Sequence, residues 1–250
     1  MNSDVCDNYN NRLVTYGIDG LFQQVYNALD ETGEKRFEYP YAIHIDSNHR
    51  LYLIDQSERR IKVFTQNFQL IRIIGQYGRD IGQYLAPCDL CTTEENNFIF
   101  VCDAGSHRIL KYNEQGQFLL AWGGLGQDMG QFKCPACVCV LNHQRLAVSD
   151  WGNDRIQIFN YEGDHLLSIG QRGKHLAEFS RPLGLAFDES NERLFVCDEG
   201  NNRVMIFNHD FTKSELVQSK IGFHGPYDIL LMKNNRMIIS EYRAHRLQIV

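Results

Sequence analysis

The spacing of its five prolines limits the fold of this chain more than any other feature of the sequence. The prolines are Pro40, Pro87, Pro135, Pro182 and Pro226, so the successive gaps are 47, 48, 47 and 44 residues. Prolines placed by chance would not recur at so even an interval. The sequence is therefore a tandem repeat, and a repeat of this length defines the fold before any other argument begins.

An acidic residue and an arginine recur with the same period. In six places an arginine follows an acidic residue by five positions, and an apolar residue follows the arginine. The six pairs are Asp7/Arg12, Asp55/Arg60, Asp103/Arg108, Asp150/Arg155, Asp198/Arg203 and Glu241/Arg246. Because a guanidinium group can bind a carboxylate through two parallel hydrogen bonds, we interpret each pair as a clasp across a turn. The alternative is a set of six ligand-binding charges.

Each repeat is predicted to contain four short strands. Runs of four to six residues rich in Ile, Val, Phe and Tyr are bounded by Gly, Asn and Asp, and no stretch has a sustained helical period. Residues 41–45, 155–159 and 165–169 are examples of a first, a third and a fourth strand. Four antiparallel strands make one blade of a β-propeller. We therefore predict an all-β, six-bladed β-propeller of four-stranded antiparallel blades.

The repeats cover the whole chain as one predicted domain, residues 1–250. Their approximate limits are 1–36, 37–83, 84–131, 132–178, 179–222 and 223–250. The first repeat begins at Val5-Cys6-Asp7 without a proline strand, and the last stops at Val250 without a fourth strand. The first and last blades are thus expected to be incomplete, and we expect the chain to be a piece of a longer protein.

Composition points to an intracellular protein. No apolar run reaches the roughly 18 residues of a membrane span, residues 1–20 lack the apolar core of a signal peptide, and no Asn-x-Ser/Thr glycosylation site occurs. We predict a cytoplasmic location and no membrane contact. The net charge of −6 argues against a globally basic nucleic-acid binder.

The eight cysteines are predicted to be reduced. Cys6, Cys102 and Cys197 share one repeat position, where side chains from alternate blades lie too far apart for a disulfide. Cys134, Cys137 and Cys139 have a spacing that would suit the start of a zinc site. They also surround a repeat proline, so we interpret them as buried residues of a strand. We predict no cofactor.

The repeat resembles the NHL repeat. The resemblance rests on Phe-x-x-Pro-x-Gly-Leu at 179–185, on the motif Val-Cys-Asp-x-Gly-Asn-x-Arg-Val-x-Ile-Phe at 196–207, and on Gly-Gln-Phe at 116–118. It covers nearly the whole chain and implies a six-bladed propeller. The chain is also similar to the C-terminal propellers of tripartite-motif (TRIM-NHL) ubiquitin ligases, some of which bind RNA and others protein.

A partner is expected to bind the face that carries the residues flanking each proline and the turns between second and third strands. Tyr, Trp, Arg and Asn on a rigid exposed face are suited to recognition; ordinary solvated turns are the alternative. The predicted partner-binding residues are Tyr39, Tyr41, Arg59, His107, Trp151, Arg181, Asn201, Tyr227, Tyr242 and Arg243.

The function we expect first is a non-catalytic interaction propeller. It would bind a protein, as the substrate- or scaffold-recognition part of a longer intracellular protein such as a ubiquitin ligase, and we expect no small-molecule substrate. RNA is the second possible partner, because bases can stack on Tyr39, Tyr41 and Tyr227. Few cations accompany these tyrosines, chiefly Arg59 and Arg181, so protein is favoured.

A metal-dependent enzyme centred on the channel is the third hypothesis. Amidating lyases of similar repeat hold zinc with histidines placed after the repeat proline, and none of the five residues there is histidine. Those residues are Tyr41, Cys88, Ala136, Leu183 and Tyr227. Lactonase-like propellers use inward carboxylates instead. Asp89 and Asp228 stand three repeats apart, opposite one another in a six-fold ring, and are the weak candidates to hold calcium or magnesium.

Overall fold

The computed structural model describes residues 3–17, 19–29, 32–94, 97–232 and 236–250. Its strands form six antiparallel sheets, in each of which consecutive strands pair. We number these sheets blades 1 to 6 in chain order. In the described ranges blades 1 and 6 have three strands and blades 2 to 5 have four. The predicted all-β, six-bladed fold is confirmed, as is the prediction that the first and last blades are incomplete.

The strand limits follow the repeat. Blades 1 to 3 consist of β1 (Ser3–Asp7), β2 (Arg12–Tyr16), β3 (Phe22–Asn27), β4 (Pro40–Ile45), β5 (Leu51–Asp55), β6 (Arg60–Phe64), β7 (Leu70–Ile74), β8 (Pro87–Thr92), β9 (Ile99–Asp103), β10 (Arg108–Tyr112) and β11 (Phe118–Gly123). Blades 4 to 6 consist of β12 (Pro135–Leu141), β13 (Arg145–Asp150), β14 (Arg155–Asn160), β15 (His165–Ile169), β16 (Pro182–Asp188), β17 (Arg193–Asp198), β18 (Arg203–Phe207), β19 (Ser214–Leu216), β20 (Pro226–Leu231), β21 (Met237–Glu241) and β22 (Arg246–Ile249).

The chain divides into two compact parts, Met1–Leu120 and Ala121–Val250, which we call the N-terminal half and the C-terminal half. Blades 1 and 2 belong to the N-terminal half, and blades 4 to 6 belong to the C-terminal half. The single domain expected from the repeat stays a prediction.

The repeat proline is the first residue of the first strand in blades 2 to 6. Proline has no N–H to give to a strand ladder, so the first position of a strand tolerates it well. In all five blades the strand register shifts just after the proline, between Pro226 and Asp228 for example. Because of this bulge, the side chains just after the proline do not alternate regularly between the two faces of the sheet.

The core lies between neighbouring sheets. In the C-terminal half, Ile158, Phe179 and Phe207 belong to one buried cluster; in the N-terminal half, Leu13, Phe37 and Phe64 belong to another. The aromatic residue three positions before the proline is fully buried in four repeats: Phe37, Tyr84, Phe132 and Phe179. Glycine is required beside two of these rings, because a Cβ at Gly75 or Gly170 would collide with Tyr84 or Phe179.

In four of the six repeats the arginine hydrogen-bonds the acidic residue, each time through Nε alone and not as a two-pronged bond. Asp150 is fully buried; its Oδ1 accepts the Lys133 N–H (2.8 Å) and its Oδ2 accepts Arg155 Nε–H (2.8 Å). The other two nitrogens of Arg155 donate to the carbonyl oxygens of Gln127, Asp128 and Gln131. The bidentate prediction is wrong because both Nη groups of Arg155 bond to these backbone carbonyls and not to Asp150. Arg155 instead joins the turn to the preceding connector.

The six clasps differ from one another. Arginine Nε lies 2.6–2.8 Å from the carboxylate in Asp7/Arg12, Asp150/Arg155 and Asp198/Arg203, and Glu241/Arg246 is also hydrogen-bonded. In Asp103/Arg108 the distance is 3.8 Å. In blade 2, Arg60 pairs with Glu58 at 3.2 Å, and Lys62 takes its place on Asp55 at 2.7 Å.

No disulfide joins any of the eight cysteines, all of which lie in the described ranges. Cys137 is buried, and its sulfur accepts a hydrogen bond from the Leu185 N–H at 3.3 Å. Within the described ranges, the helices are three-residue 3-10 turns, none of them long and apolar enough to cross a membrane. The cytoplasmic location stays a prediction.

Candidate functional site

The turn between the second and third strands lies against the segment that precedes the proline of the same blade. The backbone N–H of Tyr242 donates to the Gly225 carbonyl (3.0 Å), and the Gly200 N–H donates to the Ser180 carbonyl (2.8 Å). The equivalent bond in the N-terminal half joins the Gln56 N–H to the Tyr39 carbonyl (3.2 Å). The two groups of residues that the sequence assigned to one face are therefore neighbours within each blade.

In the N-terminal half the predicted residues contact blade neighbours. The Tyr39 ring meets Tyr9 edge-on at 5.8 Å, and the Tyr39 N–H donates to Asn11 Oδ1 at 2.7 Å. The Arg59 guanidinium lies 4.4 Å from the centre of the Tyr77 ring, which is the geometry of a cation–π contact. Tyr41 and His107 are both half-buried.

In the C-terminal half, the Asn201 side chain stabilises the turn between β17 and β18. Its amide nitrogen donates to Asp198 Oδ2 and to the Gly173 carbonyl, both at 2.8 Å. Because both amide hydrogens are used inside the protein, we assign Asn201 to the clasp of blade 5. Trp151 opens the 3-10 helix Trp151–Asn153 and is half-buried.

Two predicted arginines meet on one buried carboxylate. Arg181 Nη2 lies 3.1 Å from Glu199 Oε2, and Arg243 Nη2 lies 2.6 Å from Glu199 Oε1. Glu199 is only 7% exposed, whereas the side chains of Arg181 and Arg243 are 44% and 38% exposed. One carboxylate thus fixes two guanidinium groups side by side and leaves a local charge of +1. The remaining N–H donors are available for an anion or a polarised carbonyl oxygen.

Two tyrosines lie beside these arginines. The rings of Tyr227 and Tyr242 are 6.1 Å apart and tilted by 41°, and Tyr242 also lies 6.4 Å from His245. Tyr242 is 59% exposed and precedes Arg243 in the chain. We call Arg181, Glu199, Tyr227, Tyr242 and Arg243 the Arg–Tyr cluster.

Asp228 follows Tyr227 on β20 and faces the neighbouring first strand, β16. A Cβ at Gly184 would come within 2.7 Å of Asp228 Oδ1, so β16 needs glycine to leave room for the carboxylate. The Asp228 N–H donates to Ser240 Oγ (3.0 Å), and its Oδ1 accepts the Ile229 N–H (2.9 Å). Surrounding protein raises the Asp228 pKa, and the Ile229 bond opposes this. The residue as a whole stays exposed to solvent.

Sequence reasoning found both arginines, both tyrosines and Asp228, but it missed Glu199, Gly184 and Ser240. Glu199 follows the clasp aspartate of blade 5, at the position that Trp151 and Tyr242 occupy in blades 4 and 6. A charged residue there, next to two predicted arginines, was the available signal. Gly184 packs against Asp228 from β16, and Ser240 of β21 accepts its N–H, and the sequence alone has no signal for either contact.

The metal hypothesis rested on two carboxylates, Asp89 and Asp228, and it stays a prediction. Across residues 3–17, 19–29, 32–94, 97–232 and 236–250 no group of three His, Cys, Asp or Glu side chains is placed to hold a metal ion. Asp89 is half-buried in the N-terminal half and Asp228 is exposed in the C-terminal half. Their facing arrangement across a channel stays a prediction. We derive no chemical step through a metal.

Comparison with known proteins identifies the class. Residues 3–121 and 127–237 match the family described as 6-bladed beta-propeller, and the chain belongs to this family. No curated protein matches the chain in sequence.

Solved structures of known proteins share the fold at low identity. A catalytically inactive histidine-to-alanine variant of virginiamycin B lyase from Staphylococcus aureus, crystallised with quinupristin, is 13% identical with a TM-score of 0.68, over 97% of this chain and 74% of that one. A gluconolactonase from Xanthomonas campestris is 15% identical (TM-score 0.70; 96% and 79%). A chain of a nidogen–laminin complex is 16% identical (TM-score 0.71; 96% and 86%).

These structures correct the expected function. The prediction of a non-catalytic, protein-binding propeller is wrong, because propellers similar to this chain include a lyase and a gluconolactonase. The enzyme alternative is better supported than the first expectation. At such identities the likeness itself shows the fold. The closer resemblance to tripartite-motif propellers stays a prediction.

Proposed function

We propose that this chain is an enzyme that opens a small lactone or ester, with its catalytic centre at Asp228 and the Arg–Tyr cluster. The observation that carries the proposal is the position of Asp228. Asp228 is an accessible carboxylate, and Gly184 on the neighbouring strand leaves room for it. It comes directly after Tyr227 of the Arg–Tyr cluster, which also contains two guanidinium groups. A gluconolactonase among the similar structures supports the substrate class.

The residues present suit this chemistry. Asp228 acts as the general base: it takes a proton from a water molecule, whose oxygen attacks the substrate carbonyl carbon. The ring or ester C–O bond then breaks, and the leaving oxygen receives the proton. A carboxyl with a raised pKa is closer to the range in which a base works at neutral pH. Arg181 and Arg243 would stabilise negative charge on the carbonyl oxygen, and Tyr227 and Tyr242 would form a wall beside the substrate.

The experiment is a pH-stat assay of proton release from δ-gluconolactone and a panel of neutral lactones, corrected for spontaneous hydrolysis. In Asp228→Asn we expect kcat/KM to fall by about 100-fold or more, the usual contribution of a general base, with an unchanged melting temperature. Asp89→Asn is the matched control, because Asp89 occupies the same repeat position in the N-terminal half. No turnover by the wild-type chain, or full activity of Asp228→Asn, would contradict the proposal. Equal losses in both variants would instead favour the paired-carboxylate hypothesis.

RNA binding by the Arg–Tyr cluster is a second candidate function. The observation that favours it is the pair of exposed guanidinium groups beside the Tyr227 and Tyr242 rings, since single-stranded RNA is bound by stacking and phosphate contacts. A titration of fluorescent single-stranded RNA over a salt series tests it. Phosphate contacts are strongest at low salt, so absence of binding there removes this candidate.

A further inference from the structure

A cavity outside the proposed catalytic centre lies in the N-terminal half, where β3 of blade 1 meets the turn between β6 and β7 of blade 2. Its volume is about 310 Å³. Gln24, Tyr26 and Asn27 come from β3, and Asn67 and Phe68 come from the turn. Arg36 lines it from the segment that leads towards Pro40. The size is at the lower end of the range for small-molecule sites.

Three side chains that line this cavity, those of Arg36, Asn27 and Asn67, are unpaired within the described part of the chain. Arg36 is half-buried and its guanidinium makes no hydrogen bond or ion pair there; its only such bond is from the backbone N–H to the Ala28 carbonyl (2.7 Å). The side-chain amides of Asn27 and Asn67 likewise have no partner among those residues. An anion in the cavity would give this half-buried guanidinium a charged partner.

One wall of the cavity is aromatic and rigid. The Tyr26 ring stacks on Phe68, with centres 3.8 Å apart and planes 25° from parallel, and Phe68 packs against Phe64 in the core at 5.7 Å. Phe68 is 8% exposed, so the stack is anchored from below. The Tyr26 hydroxyl donates to Gln24 Oε1 at 3.1 Å, which leaves the Gln24 amide nitrogen as a donor. The wall therefore has a fixed apolar surface edged by polar groups.

We propose that this cavity binds a small hydroxylated carboxylate. Arg36 would pair with the carboxylate, the amides of Asn27 and Asn67 would donate to and accept from hydroxyl groups, and the Tyr26 ring would cover an apolar face of the ligand. A volume of about 310 Å³ accommodates roughly ten water-sized groups at about 30 Å³ each. A monosaccharide acid has about this size. None of the six lining residues that we name is acidic, which favours an anionic over a cationic ligand.

Calorimetric titration with D-glucuronate tests the proposal, with D-glucose as the neutral analogue and acetate as the bare anion. We expect saturable binding of glucuronate that is at least about tenfold tighter than that of either analogue, because only glucuronate satisfies both the charge and the amides. Failure to bind glucuronate at about 10 mM, a concentration that reveals even millimolar affinity, or equally tight binding of glucose, would overturn it.

Variants locate the site. Arg36→Met should weaken glucuronate binding about tenfold or more, and Asn67→Ala, an exposed position where folding is not at risk, should weaken it several-fold. Arg79→Met removes an exposed arginine elsewhere in the same half and should leave the affinity unchanged. Asp228→Asn should bind as the wild type does, which separates this cavity from the proposed catalytic centre. Unchanged affinity in both Arg36→Met and Asn67→Ala, or a loss in Asp228→Asn alone, would overturn the assignment.

Discussion

Blades 2 and 4 show how one repeat position supports two different networks. In blade 4, Asp150 is held by Arg155 Nε, by Asn153 (2.8 Å) and by Gln157 (3.2 Å). In blade 2, Asp55 receives Lys62 Nζ at 2.7 Å and the backbone N–H groups of Glu38 and Glu58, each at 3.0 Å. Both aspartates are fully buried.

The residue seven positions after the aspartate decides between these networks. Gln157 of blade 4 is neutral, so the buried charge of Asp150 depends on Arg155 for its counter-ion. Lys62 of blade 2 is itself a buried cation, and Arg60 turns to Glu58 at the surface instead. The sequence conserves the turn geometry within the chain, whereas the neutralising partner changes from blade to blade. The comparison thus separates the geometric role of the clasp from its electrostatic role.

The largest effect is expected for Asp150→Ala. It leaves the Lys133 N–H, the Gln157 amide and Arg155 Nε without their shared acceptor in a buried place. We expect the free energy of unfolding to fall by about 3 kcal/mol, the usual result of breaking a buried pair. Urea denaturation with fitted m-values measures it. Glu189→Gln, at an exposed side chain of blade 5, is the control and should change little. A loss below about 0.5 kcal/mol would contradict the structural role of the clasp.

The repeat made most of the fold predictable. Proline spacing located the first strand of five blades, and the predicted fourth strand at 165–169 coincides with β15 (His165–Ile169). The strand positions depend on residues close together in the chain, so the local preferences for turns and strands predict them directly. The departure from a bidentate clasp was not predictable, because the carbonyls that bind the Nη groups of Arg155 come from a segment 24 to 28 residues earlier. The sequence also contains no sign that Arg60 does not bind Asp55, because Arg60 follows Asp55 by five positions just as Arg155 follows Asp150.

The candidate site was partly predictable for the same reason. Arg181, Tyr227 and Arg243 follow from the repeat register, which places proline flanks and turns on one face. Their meeting at Glu199 depends on contacts between blades 5 and 6 that no single repeat encodes. The cavity at Arg36 was missed because it lies between the last strand of blade 1 and a turn of blade 2, away from every recurrent motif.

A second variant tests whether lysine has replaced arginine in blade 2. Lys62→Met keeps the length and burial of the side chain but removes the cation from Asp55. We expect a loss of about 2 kcal/mol, less than for Asp150→Ala, because Asp55 keeps two backbone N–H donors. Arg60→Met is the matched control; its pair with Glu58 is partly exposed, so we expect at most about 0.5 kcal/mol. Urea titration measures both variants. Equal losses of unfolding free energy in Lys62→Met and Arg60→Met would show that Lys62 has not replaced arginine as the partner of Asp55.

The smallest effect concerns pH and again separates blades 2 and 4. His44 of β4 bonds Thr92 Oγ1 through Nε2 (2.9 Å), and burial lowers its pKa to about 4, although nearby Asp46 acts in the opposite direction. Cys139 occupies the same position in blade 4, where no histidine is present. An unfolded histidine has a pKa near 6.5, so between about pH 6.5 and 4 the unfolded chain binds a proton that the folded chain does not. The stability that neutral His44 contributes is therefore present above that window and is lost as the pH falls through it. The His44 ring is only half-buried, so we expect the free energy of unfolding to fall by about 1 kcal/mol, which is less than the whole pKa difference would give.

His44→Gln can keep the bond to Thr92 and cannot take up the proton. The difference in unfolding free energy between wild type and His44→Gln should therefore change by this amount between pH 7 and pH 4, and a constant difference would show that His44 is not the titrating group.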